Sequence, residues 1–205
     1  MAKTMTPSDT TPITDGQINK TVGLYRAMLE KHRSELDSEA VQSVLGQPDF
    51  VGAMLGILRG RVEAISDMIV RRVRVDRTRT PQAVLDATGR TQHVNEDVLT
   101  TMPEGEGEEA DVYFFPLRRR VTEAQLAQEY ELRGLTPDPR AQAAVNEANP
   151  AFADDRPNGT QWQDANGNWC YAAFDRCYGT RNVRVRRLDN GWDARWWFAG
   201  LRKST

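Results

Sequence analysis

The sequence predicts an α+β protein in which an N-terminal helical region precedes a domain of order β-α-α-β-β-β-β with a mostly antiparallel sheet. Three observations carry this. Apolar residues recur at helical spacing through the first 70 residues, with Ile18, Val22, Tyr25, Met28 and Leu29 on one face. From Trp169 onward the period changes to two, with Trp169, Tyr171 and Ala173 alternating with Cys170, Ala172 and Phe174. Between these regions, helix-start and helix-stop residues punctuate the chain in regular order.

Residues 1–13 are rich in Thr, Ser, Pro and Asp without an apolar period, and are expected to be a disordered tail. Thr14 and Gln17 have capping-box spacing and open the first helix. Ser38 before Glu39 starts a short helix ending near Gly46. Pro48 and Asp49 start a third, carrying Phe50, Met54, Ile57, Leu58, Val62, Ile65 and Ile69. A helical hairpin or small bundle is the expected arrangement. Val70–Val75 alternates apolar and basic residues and reads as a short strand, and Thr80-Pro81 begins a helix that Gly89 stops. A short helix follows around Asn95–Met102. The helical domain is thus expected over 14–103. The Glu-rich, Gly-punctuated stretch 104–111 reads as an acidic linker or loop, and the second domain as 112–205.

Within that second domain, Val112–Leu117 is a β-favouring run, and Thr122-Glu123 starts a helix that Gly134 ends. Pro137 and Pro139 break the chain before a helix from Arg140 to about Asn149, and a strand is expected through Thr160, Gln161 and Trp162. Asn166-Gly167 turns this strand into Asn168–Arg176, and strands at Asn182–Arg187 and Trp196–Lys203 complete the order. This order resembles the C-type-lectin-like fold. The resemblance implies that the first and last strands pair and that the loops gather on one side.

Net charge is −2, but residues 170–205 carry eight Lys or Arg against three Asp or Glu, so the first 169 residues are acidic and the end is basic. A basic end attracts acidic partners or is merely a solvated face. The two cysteines, Cys170 and Cys177, make no disulfide framework, and His32 and His93 lie far apart. No cofactor, metal or catalytic set is expected, and the reading is of a binding protein and not an enzyme. No apolar stretch is long enough for a membrane span and no signal-peptide core is present, so cytoplasmic synthesis is the default expectation. Three sharper motifs have plainer readings. Gln47-Pro48-Asp49 matches a sugar-binding tripeptide of calcium-dependent lectins, but it sits at a helix start and Trp192 is followed by Asp193-Ala194 instead of the partner motif. Asp164, Asn166 and Asn168 resemble the opening of a calcium loop, but Trp169 stands where that loop needs glycine. The acids Glu106, Glu108, Glu109 and Asp111 read as solvating charge.

Between Asp175 and Arg195 two populations separate. Trp169, Ala172, Phe174, Val183, Val185, Trp192, Trp196, Trp197 and Phe198 suit a core. Asp175, Cys177, Tyr178, Gly179, Arg184, Arg186, Leu188, Asn190, Gly191, Asp193, Ala194 and Arg195 follow no chemical rule and interrupt the first set. The segments Asn168-Trp-Cys-Tyr-Ala-Ala-Phe174 and Trp196-Trp-Phe-Ala-Gly-Leu-Arg-Lys203 resemble the variable region of target proteins of diversity-generating retroelements. Val73–Gly89 and Tyr130–Phe152 are similar to hypothetical proteins of candidate-phyla-radiation bacteria that end in this fashion. Phe198-Ala-Gly-Leu-Arg202 is similar to the Gly-Phe-Arg ending of the lectin-fold variable proteins, in a different order and without their Arg-Gly-Gly-Ser-Trp stretch. The resemblance implies adenine-directed rewriting. From the Asn codon AAC, changes at the two adenines give Asp, Tyr, Cys, Gly, Arg, Leu or Ala, each of which occurs in the scattered set. It further implies that those twelve residues are the ligand-binding surface and that the ligand, an unknown protein or other macromolecule, is allele-specific. The helical region is then the place for homo-oligomerisation or a constant partner. A nucleic-acid-binding module using the basic aromatic C-terminal sheet is the alternative.

Overall fold

The structure is a computed structural model that describes residues 12–188 and 190–203. It is mixed α/β, and the chain divides into two compact units, Met1–Gly56 and Ile57–Thr205. The division does not fall at the acidic segment 104–111, where the sequence places it, because the residues before that segment belong to the sheet. Strands β1 (Ile69–Arg74) and β2 (Thr91–Val94) join it, and Glu109–Asp111 open strand β3 (Glu109–Pro116). β1 runs antiparallel to β3, which ties 69–103 into the same body as the rest. The 1–13 tail lies outside the described residues except for Pro12 and Ile13, which are in no regular element.

In the first unit, α1 (Asp15–Lys31) starts at the expected capping box: Thr14 accepts from the Gln17 amide and Gln17 reaches back to the Thr14 amide. Asp37, not Ser38, caps α2 (Ser38–Leu45), its carboxylate accepting from the Ala40 amide. Helix α3 (Phe50–Ser66) begins in the first unit, continues from Ile57 in the second, and ends before Ile69, which the sequence period carries into the helix and which instead begins β1. The expected bundle core is absent from these helices: among the described residues α1 and α2 bury none and α3 buries only Ala64.

In the second unit the strand order is β1-β3-β8-β5-β6-β7-β2, with β4 (Leu135–Pro137) paired beside β8 (Trp197–Arg202). β5 is Asn158–Gln163, β6 Trp169–Cys177 and β7 Thr180–Arg187. β3 and β8 pair antiparallel, Phe115 opposite Phe198 and Phe114 opposite Ala199. Since side chains alternate across a strand, these pairs serve opposite faces. Phe114, Val112 and Ala199 meet Ala141, Val145 and Phe152 of α7 (Pro139–Ala148) and α8 (Phe152–Asp155). Cys170, Ala172, Phe174, Val183 and Val185 meet α4 (Pro81–Ala87) and α5 (Glu96–Leu99) on that same side. On the other face Phe115, Phe198 and Ala173 pack with Leu126 and Tyr130 of α6 (Glu123–Arg133) and with Trp192 and Trp196. Tyr130 is fully desolvated, which raises its phenol well above the usual value, and its hydroxyl donates to the Ala199 carbonyl at 2.8 Å.

Local signals end these elements as expected. Thr122 starts α6, adding a capping box with Gln125 that the sequence reading does not include, and Gly134 ends that helix in the left-handed region with φ 63°. A buried amide network has no apolar signature: Gln142 of α7 donates to Asn158 at 2.9 Å and accepts from Thr160 at 2.8 Å. Its members satisfy one another, which is the condition for burying them at all.

Candidate ligand-binding site

The site is built where α6 stops covering its face of the sheet. On β6 and β7, Tyr171 lies opposite Arg186 and Ala173 opposite Arg184. Val183 and Val185 therefore enter the core beneath α4 and α5, while Arg184 and Arg186 turn to the opposite face. A groove of about 340 Å³ opens there, and the residues around it include Arg184, Arg186, Leu188, Asn190, Gly191, Asp193 and Arg195, seven of the twelve positions predicted from sequence. Its floor is aromatic. Tyr171 meets Trp192 edge-on at 5.2 Å, and Trp192 meets Trp196 edge-on at 5.1 Å.

The segment from 190 to 196 is held at both ends. Trp192 and Val121 exchange backbone hydrogen bonds at 2.8 and 2.9 Å, and the Leu117 amide donates to the Trp196 carbonyl at 2.9 Å. The Gly191 amide donates to Glu123 at 3.3 Å, and Arg120 donates to the Asn190 carbonyl at 3.0 Å. At the outer turn the Arg195 amide donates to Asp193 at 3.0 Å. With its backbone fixed this way, Asn190, Asp193, Ala194 and Arg195 remain exposed.

Charge around the groove is mostly compensated. Arg184 pairs with Asp175 at 2.5 Å, Arg187 with Asp164 at 2.7 Å, and Arg195 with Asp193 at 3.3 Å. Arg186 is exposed and has no acidic partner among the described residues. The Asp164 carboxylate also accepts from the Asn168 side chain and from the Asn168 and Asn166 amides, which holds it at about 2, well below the usual carboxylate range. The calcium-loop resemblance is thus a turn whose acid is already occupied, and among the described residues no cluster of His, Cys, Asp and Glu is arranged to hold a metal.

The remaining predicted positions fall elsewhere. Asp175 is buried beneath Arg184 and acts as its counter-ion, so it is not a free contact residue. Cys177, Tyr178 and Gly179 form the tip of the β6–β7 hairpin, several residue pairs along the strands from the groove. Gly191 lines the groove but cannot vary: its φ is +63° and a Cβ there would lie 2.5 Å from the Val121 carbonyl oxygen. Ala194 is exposed on the same loop without lining the groove. Conversely, Tyr171, Arg187, Trp192 and Trp196 line the groove although the scattered pattern did not include them. Tyr171 could have been found from its place two residues before Ala173 on the outward face of β6. Both cysteines are free, Cys170 buried with its thiol pushed up by desolvation.

Among the described residues, no helix is long and apolar enough to cross a membrane. The fold and groove together define a mixed α/β protein with an eight-stranded sheet and an open cleft walled by a pinned loop. No family model, curated protein or solved structure matches the chain.

Proposed function

We propose that the second unit is a diversified ligand-binding domain of C-type-lectin-like design, in which the groove between β7 and the 190–196 segment takes a macromolecular ligand specific to this allele. The observation that carries the reading is the convergence of seven scattered positions on one cleft over an aromatic floor. Two further features support it. The order from β3 to β8 follows the expected β-α-α-β-β-β-β plan, with β4 and α8 added as short pieces, and its first and last strands pair. At the hairpin tip, Tyr178 is fully exposed and has φ +49°, alone among the described non-glycine residues in being positive. That conformation suits Asn followed by Gly, and an adenine change in an Asn codon produces Tyr.

A protein ligand accounts for the groove better than a nucleic acid. Trp192 and Trp196 are buried, Trp192 edge-packed on both Trp196 and Tyr171, so neither tryptophan offers an open ring face for base stacking. The protein itself is slightly acidic. The test is a displayed library of the full chain randomised at Arg186, Leu188, Asn190, Asp193 and Arg195, with Arg184 kept because it neutralises the buried Asp175. Most members are expected to fold, and selection against unrelated proteins is expected to return different sequences. Widespread unfolding, or salt-sensitive DNA binding shared by all members, contradicts the proposal.

A further inference from the structure

Most of the exposed large apolar side chains among the described residues lie on the N-terminal helices. Along α1 the residues Ile18, Val22, Tyr25 and Leu29 follow one another at intervals of four, three and four, and along α3 Val51, Leu55, Leu58, Val62 and Ile65 do so at four, three, four and three. This is the 3.5-residue repeat of helices that pack on other helices. Every one of the nine is exposed, between 38% and 73%.

We infer that a second copy of this chain covers the two stripes, so that the protein self-associates through α1 and α3. The area argues for it: nine side chains at those exposures amount to roughly 800 Å² per copy, about what each partner contributes to a stable protein interface. With Leu24, Met28 and Ile57 also exposed beside the stripes, it is composition that argues for a protein cover and against a lipid surface, because an interfacial helix sets its apolar face against a strongly basic opposite side. Neither helix has that composition: α1 mixes Lys20, Arg26 and Lys31 with Asp15 and Glu30, and in α3 charge is confined to Arg59, Arg61 and Glu63. Each stripe spans only two to three heptads, which is short for a coil of two isolated helices. Two copies bring four such stripes, enough for mutual burial. Self-association would also carry several ligand grooves on one particle, multiplying weak contacts into avidity.

All five tryptophans lie in the second unit, which also holds α3 from Ile57 onward, so their emission reports whether a substitution in the helices disturbs the folding of that unit. The test is light scattering on the full chain at roughly 100 μM, for the unmodified protein and for two double variants, Val22→Glu with Leu29→Glu and Leu55→Glu with Val62→Glu. The unmodified chain is expected at twice 23.1 kDa or a higher multiple, and both variants at 23.1 kDa with tryptophan emission unchanged. If a glutamate pair disturbs that emission, Val22→Ala with Leu29→Ala is measured instead and is expected to weaken association at least about tenfold. An unmodified chain that stays at 23.1 kDa overturns the inference, whether or not it sediments with anionic phosphatidylserine vesicles. So do variants that keep the parental mass.

Discussion

The guanidinium of Arg77 grips both carboxylate oxygens of Asp138, at 2.7 and 3.0 Å, in a pair almost closed to solvent. Arg77 also donates to the carbonyls of Glu104, Glu106 and Gly107, while Asp138 caps α7 by accepting from the Ala141 amide. The acidic stretch read from sequence as a linker is therefore wrapped around one half-buried arginine. Gly105 makes the approach feasible, since a Cβ there would stand 2.3 Å from Asp138 and 2.6 Å from Arg77.

Removing one partner of such a pair strands the other in a dry site. Arg77→Ala is expected to destabilise the second unit by about 3 kcal/mol in urea unfolding and to expose the segment 104–107 to proteolysis. Resistance to cleavage in the variant would show that the loop is held by something else.

The hairpin tip offers a change in the opposite direction. Tyr178 holds a left-handed conformation that costs a non-glycine residue about 1 kcal/mol or more. Tyr178→Asn is expected to raise the melting temperature by about 2–4 °C while leaving the groove intact. A lower melting temperature would mean that the phenol ring makes a contribution its full exposure does not suggest.

Asp164 sets an acid dependence. Its carboxyl titrates at about 2 in the folded protein and near 4 when unfolded, so the folded state favours the ionised form. The stability it contributes is whole above the unfolded value and is lost as pH falls through the folded one. Unfolding midpoints followed from pH 5 to 2 are expected to drop, with a smaller drop in Asp164→Asn. Parallel curves for the two proteins would refute this assignment.

Within the loop, neighbours are expected to differ sharply in tolerance. Gly191→Ala meets the Val121 carbonyl and an unfavourable φ, and is expected to cost about 2 kcal/mol. Ala194 substitutions are expected to stay within about 0.5 kcal/mol. Equal tolerance at both positions would show that the loop is not pinned as described.

Much of this architecture could be read from local chemistry. The Thr14 capping box, Thr122 and Pro81 at helix starts, and Gly134 and Asn166-Gly167 at stops and turns act within a few residues, so their outcome is visible in sequence. What was missed depends on distant partners. β2 is four residues long and pairs parallel to β7, some 90 residues away, with no apolar alternation to announce it. Helical periodicity through residue 69 implied a bundle, yet period alone does not say whether an apolar stripe is covered within the same chain. At the groove, alternation along β7 put Arg184 and Arg186 outward correctly. Asp175 lies on that same face and looked equivalent, but the ion pair with Arg184 draws it inside.

The central claim is that fixed aromatic and valine residues carry interchangeable neighbours. Sequencing the DNA around the coding region tests it directly. The account predicts a nearby template repeat and a reverse transcriptase gene, with mismatches confined to adenines in codons such as those of Tyr178, Arg184, Arg186, Leu188, Asp193 and Arg195, and with Trp169, Val183, Val185 and Gly191 unchanged. Sibling alleles whose differences are spread evenly along the chain, with no such repeat beside them, would contradict it.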